Sequence, residues 1–259
     1  MVEKGAVSAY IKLLRSTDEL VQINAIAFLQ VMAFSDEPLL QTIIKEGAIQ
    51  PLVRILNTKS TFSTKARKSA LGAIESLCFS SKNSVNILMS HRFLDRLLFL
   101  LRGNEVSLKE SAVKSVLLLR GTSEEAMKAM GDAGFMSELL TLLDANCFRI
   151  REMTAEALSG MLKVPRNKRR FMEEDSNTSR ILQLLDPKEN KLGDSRFLLS
   201  ILLTLTNSNS GRKKIAISSH LENLERLAEA EVMEAKKIIK KLSTNRFRSI
   251  LNGIWNTQV

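Results

Sequence analysis

Apolar side chains recur along this chain at the spacing of one helix face, six times in register. Ala25, Phe28, Leu29 and Met32 stand at i, i+3, i+4 and i+7, the pattern of a helix that buries one side. The spacing returns at Ala70, Ala73, Ile74, Leu77 and at Ala112, Ser115, Val116, Leu119. It returns again at Thr154, Ala157, Leu158, Met161, at Leu198, Ile201, Leu202, Leu205, and at Ala235, Ile238, Ile239, Leu242. Small residues mostly come first, where a neighbouring helix must approach closely, and larger ones follow to fill the space between. A second signal lies upstream. Gly5-Ala6-Val7, Gly47-Ala48-Ile49 and Gly134-Phe135-Met136 open stretches that close nine residues later on Leu14, Leu56 and Leu143, while Leu101 and Leu185 close two copies without the glycine. The steps between these leucines are 42, 45, 42 and 42 residues. Such a period predicts an all-α solenoid of repeated units and not a globular enzyme fold.

Shorter apolar segments at 39–44, 85–89, 126–130, 170–172 and 215–217 precede the closing stretches. Each unit therefore reads as a short helix, a tight turn, a second helix ending on the leucine, and a longer third helix. The opening glycine suits a turn in which a side chain would obstruct the backbone. Pro38 and Pro51 fall where helices start, Pro165 and Pro187 in connections.

Gly47-Ala48-Ile49-Gln50-Pro51-Leu52-Val53-Arg54-Ile55-Leu56 resembles the turn and second helix of the armadillo repeat, and Val21-Gln22-Ile23-Asn24-Ala25 resembles the start of its third helix. In style the chain is similar to plant armadillo proteins, including the repeat domains of plant U-box ubiquitin ligases. The ending Lys240-Lys241-Leu242-Ser243-Thr244-Asn245-Arg246-Phe247 resembles the tail of plant armadillo-repeat proteins. HEAT repeats are the structural alternative. The resemblance implies a right-handed α-solenoid of about six repeats over residues 1–242, the first without its opening helix, as if the full-length protein continued N-terminally. There is no room here for a U-box. Residues 243–259 form a separate segment, in which Phe247, Leu251, Ile254 and Trp255 recur at helical spacing. It either caps the last repeat or docks on a partner or an anionic membrane.

In armadillo proteins the third helices line a concave groove. Nuclear-import receptors place a Trp and an Asn four residues apart on each. Here the Asn positions read Val31, Ser76, Leu118, Gly160, Thr204 and Lys241, and the Trp positions Ala27, Gly72, Lys114, Glu156 and Ser200. The ladder is missing, and a chain of net charge +10 repels basic import signals. The groove that the resemblance implies carries Asn24, Lys68, Ser76, Lys114, Glu152, Glu156, Arg196 and Thr204, a mixed-charge set that fits a protein partner with its own charge pattern.

The positive charge is uneven. Residues 1–164 hold 20 Lys/Arg against 17 Asp/Glu, and residues 165–259 hold 18 against 11. Arg166, Lys168, Arg169 and Arg170 in one unit, and Arg212, Lys213 and Lys214 in the next, form a candidate anion-binding basic edge. Aromatic residues are only 5% of the chain, which argues against stacking on single-stranded nucleic acid. Glu222, Glu225, Glu229, Glu231 and Glu234 precede Lys236, Lys237, Lys240 and Lys241, an order that suits the helix dipole.

His91 and His220 are the only histidines and Cys78 and Cys147 the only cysteines. None stands in a catalytic or zinc-binding spacing, and no phosphate loop follows a strand. The expectation is a non-catalytic, monomeric scaffold without cofactor, metal or small-molecule substrate, working in the cytoplasm or nucleus. A basic module docking on anionic lipid or nucleic acid is the alternative.

Overall fold

The computed structural model describes residues 4–35, 37–57, 62–79, 82–186 and 195–243, which form seventeen α-helices and no strand. The chain divides into two compact units, Met1–Ala133 and Gly134–Val259. The first contains α1 (Lys4–Leu13), α2 (Glu19–Ser35), α3 (Glu37–Lys45), α4 (Ile49–Ile55), α5 (Thr64–Cys78), α6 (Lys82–Ser90), α7 (Phe93–Arg102), α8 (Val106–Arg120) and α9 (Glu124–Asp132). The second contains α10 (Phe135–Leu142), α11 (Phe148–Met161), α12 (Pro165–Phe171), α13 (Asp175–Gln183), α14 (Arg196–Leu205), α15 (Asn209–Ala216), α16 (Leu221–Glu229) and α17 (Met233–Leu242). The repeat places third helices at α2, α5 and α8 in the first unit and at α11, α14 and α17 in the second. Within each unit they pack in order, α2 on α5 on α8 and α11 on α14 on α17.

The apolar stripes supply these contacts. Every stripe position from Ala70 to Leu205 is completely buried, and Ala235, Ile238 and Leu242 are buried as well. The closing leucines Leu14, Leu56, Leu101, Leu143 and Leu185 are all buried, which fixes the register of the second helices. Two stripe positions depart from expectation. Ile239 is half-buried, and Phe28 is 40% exposed. Phe28 stacks on Tyr10 of α1 with ring centroids 3.9 Å apart, while its neighbour Ile26 takes the interior place.

Gly47 and Gly134 adopt φ of 87° and 91°, the left-handed turn expected of the opening glycine. Gly5 does not; it lies in the first turn of α1. Where the third copy lacks the glycine, Arg92 takes the same left-handed geometry at φ 61°. In the fifth copy Ser176 lies inside α13 and no left-handed residue is needed. Pro165 is also not in a connection. It opens α12, where its missing N–H loses no hydrogen bond, so this first helix runs well ahead of the apolar segment at 170–172. Cys147 stands at the N-cap of α11, outside the helix. The acidic and basic residues near the C-terminus fall on two helices, α16 and α17, with Glu231 between them at φ 66°. Each helix separately has an acid in its first turn and a base in its last, Glu222 and Arg226 on α16, Glu234 with Lys240 and Lys241 on α17. On α16, burial and then the charges of Glu229 and Glu222 raise the pKa of Glu225 above the usual carboxylate range.

Connections this short leave helix C-termini with unpaired carbonyls. The chain closes them with side-chain donors six residues downstream. Gln22 Nε2 donates to the Ser16 carbonyl at 2.6 Å, and Arg151 Nη1 to that of Ala145 at 2.6 Å. Asn167 Nδ2 reaches the Met161 carbonyl at 3.2 Å, Asn177 Nδ2 that of Phe171 at 2.9 Å, and Arg212 Nη1 that of Thr206 at 2.8 Å. N-termini are closed by the hydroxyls of Ser63, Ser123 and Ser208, which accept from Ala66, Ala126 and Gly211.

Polar links then join helices of neighbouring repeats. In the first unit Ser63 N–H and hydroxyl both donate to Glu19, and these bonds hold the Glu19 carboxyl below its ordinary pKa. In the second, Arg180 pairs with Asp144 and Lys214 with Asp175, Ser159 meets Ser200 at 3.0 Å, and buried Asn223 donates to the Leu182 carbonyl at 3.2 Å.

Alanine at Gly134 and at Gly211 should separate two costs of glycine replacement. A Cβ at Gly134 meets open space, so Gly134→Ala costs only backbone strain, about 1 kcal/mol. At Gly211 the added atom lies 2.1 Å from the Leu205 carbonyl oxygen; Gly211→Ala must displace main chain and costs about 2–3 kcal/mol. Arg151→Met removes donors to the Ala145 and Asn146 carbonyls while keeping an apolar stem, and should also cost about 2–3 kcal/mol. Urea unfolding monitored by circular dichroism measures all three.

Candidate functional site

Each third helix buries its stripe together with flanking positions such as Leu71, Val113 and Ala155, and leaves a narrower row outward. In the first unit this leaves Asn24, Lys68 and Lys114 exposed, while Ser76 is half-buried and donates to the Gly72 carbonyl at 2.9 Å. Lys114 is held 2.8 Å from Glu75, a carboxylate that also accepts from Ser115 at 2.7 Å. Glu75 thus ties α5 to α8 and neutralises Lys114, one of the lysines expected in a groove. Along α2 the outward positions are strongly apolar. Leu20, Val31 and Phe34 are 62%, 65% and 79% exposed, and they share the helix with Phe28 and Asn24.

In the second unit Arg196 lies 3.7 Å from Glu152, and its guanidinium carbon sits 4.6 Å from the centre of the Phe197 ring. Glu156 and Thr204 are half-buried, and the Thr204 hydroxyl donates to the Ser200 carbonyl at 2.9 Å. The structure therefore brings Glu152 and Arg196 together. Much of the mixed charge is compensated by pairing between neighbouring helices.

The basic edge is thinner than the sequence suggests. Arg212 is half-buried and closes the C-terminus of α14, with a second bond to Asn209. Lys214 is taken up by Asp175. Arg169, Arg166 and Lys213 are exposed, Lys168 and Arg170 half-buried. Between them Asn167 points inward as a buried cap. Phe247, Leu251 and Trp255 lie outside the described residues.

The sequence reading missed a cationic cleft in the first unit. A space of about 430 Å³ opens between α1, α4 and α7, lined by Arg15, Gln50, Arg54, Asn57, His91 and Arg96, with buried Pro51 and Val53 at its base. Arg54 and Arg96 sit on the second helices, Arg15 follows α1, and His91 lies in the turn that Arg92 bends into α7. The signal was present as a basic residue near the second helix of three successive copies. Those positions differ in register, so an alignment does not stack them.

Among the described residues no group of histidines, cysteines and carboxylates could hold a metal ion, and no helix is long and apolar enough to cross a membrane. Burial pushes the Cys78 thiol up to about 12, so it is an inert core group.

No protein-family model matches the sequence, and no curated protein matches it significantly. Solved structures do. A designed armadillo repeat protein is 20% identical over 91% of this chain and 98% of its own, with a TM-score of 0.73. Another designed armadillo repeat protein, in complex with the peptide (KR)4, is 20% identical over 91% of this chain and 97% of its own, with a TM-score of 0.74. Computationally designed armadillo repeat proteins for modular peptide recognition give 20% identity, 91% and 98% coverage and a TM-score of 0.73. At this identity the likeness establishes architecture: the chain has the all-α armadillo-repeat solenoid fold.

Proposed function

We propose that the chain is a non-catalytic scaffold that binds an extended segment of a partner protein along its third helices. The observation that carries this is the outward face of α2 and α5. It combines exposed Leu20, Phe28, Val31 and Phe34 with Asn24 and Lys68. Large apolar groups in water, beside an amide and a cation, fit a segment that offers apolar anchors, backbone to pair with and a carboxylate. The solved complex of a protein of this fold with (KR)4 supports peptide binding as a use of the architecture. That peptide is basic, and the net charge of +10 here calls for the opposite sign.

The wording of Gly47 to Leu56 and the ending Lys240 to Phe247 support a finer reading, in which the chain is the recognition part of a larger plant signalling or ubiquitin-ligase protein of the cytoplasm or nucleus. A basic surface that docks on anionic lipid or nucleic acid is less well supported, because Arg212 and Lys214 are engaged inside the second unit.

Display selection of random peptides on the immobilised chain tests the scaffold reading. Enriched peptides should pair acidic with large apolar residues. The double variant Lys68→Glu, Phe34→Ser should bind them at least roughly tenfold more weakly, with unchanged melting because both side chains are exposed. A selection that enriches nothing, or peptides held equally well by the variant, would overturn the reading.

A further inference from the structure

The cleft between α1, α4 and α7 concentrates positive charge without a counterpart. Arg15, Arg54 and Arg96 line one space of about 430 Å³, and no carboxylate lines it with them. Acids close to them in sequence are engaged elsewhere: Asp18 accepts from the backbone at the start of α2, Glu19 is bound by Ser63, and Asp95 is held by Arg92 at 2.7 Å. Among the described residues none of the three arginines has an ion-pair partner. Three like charges around one space attract a dianion that enters it, and each can contribute a charge-assisted hydrogen bond.

The rest of the lining narrows the choice. Guanidinium forks match the oxygens of a phosphoryl group in pairs. No Phe, Tyr or Trp lines the cleft, so it lacks the broad aromatic platforms on which nucleobases stack. Its size falls within the usual small-ligand range of about 300–1,000 Å³, too small for a duplex. Gln50 is an exposed amide able to pair with peptide backbone, and Pro51 and Val53 give an apolar base for a flanking side chain. A bare polyanion would have no use for those last features.

We propose that this cleft binds a phosphorylated side chain of a partner protein, with Arg15, Arg54 and Arg96 holding the phosphoryl oxygens and Gln50 pairing with the flanking backbone. It shares no residue with the third-helix row and stands independently of it.

The two histidines make the site directly observable, because His91 lines the cleft and His220 belongs to the other unit. Proton NMR of the full chain should show the His91 ring signals moving saturably with a short alanine–leucine–glycine peptide bearing one phosphoserine, while His220 stays in place. The same peptide with serine should bind at least roughly tenfold more weakly. Arg54→Gln with Arg96→Gln should weaken the phosphopeptide by a similar factor with unchanged melting. Arg169→Gln with Lys213→Gln, which removes the same charge elsewhere, should bind as the wild type does. If the double variant fails to fold, Arg15→Gln replaces it, with a loss of roughly threefold expected. Equal binding of the serine peptide, or full affinity in the cleft variant, overturns the proposal. So does a phosphopeptide that leaves His91 unmoved at millimolar concentration. Inositol hexakisphosphate moving His91 where the phosphopeptide does not would make the cleft a site for a free polyanion, against the proposal.

Discussion

Closing the ends of short helices is the constraint on which the rest of this architecture depends. Helices of 7 to 17 residues have a large share of their backbone in terminal turns, where carbonyls lack intrahelical partners. A chain that reverses every ten residues or so must satisfy those groups inside a packed interior. Gln22, Arg151, Asn167, Asn177 and Arg212 do it by one device, a long polar side chain that reaches back six residues. The device also sets geometry, because the donor helix must leave at an angle that brings its first turn beneath the preceding carbonyls. Register, stripe contact and exposed row all follow from that angle.

The core was legible because burial has a period. Stripes at Ala70, Ala112, Thr154 and Leu198 mark helices whose interior faces depend only on residue type and spacing. Phe28 broke the rule because Tyr10 offered its ring a stacking surface and Ile26 filled the interior. Polar roles were less legible, since a basic residue reads the same whether it caps a helix or meets solvent. Arg212 and Lys214 appeared as an edge because charge alone was visible, while the carbonyl of Thr206 and the carboxylate of Asp175 that take them up lie at distances only the fold reveals. Lys114 was legible as a surface residue, but its partner Glu75 was not. The cleft was hidden because Arg15, Arg54 and Arg96 occupy different positions in their copies and converge only through the offsets between helices.

The net charge of +10 is therefore distributed by function more than by sequence half. The second unit carries more of the excess, but several of its cations close helix ends or bridge neighbours. The first unit is nearer neutrality, yet it gathers three arginines in one recess. The position of a charge relative to backbone and carboxylate decides whether it is structural or available.

Among the described residues the polar links between repeats named here run over 34 to 44 residues, from Lys241–Asn207 to Ser63–Glu19, so each of them reaches one neighbouring repeat. A structure wired this way has no central keystone. Within each unit, loss of order in one repeat removes support only from the repeats on either side, and cooperativity decays with distance along the stack. Opening can begin wherever the links are fewest and spread as a front. Evolution could therefore alter the surface of one repeat with little effect on the others, and a binding row and a cationic recess could change independently on the same scaffold.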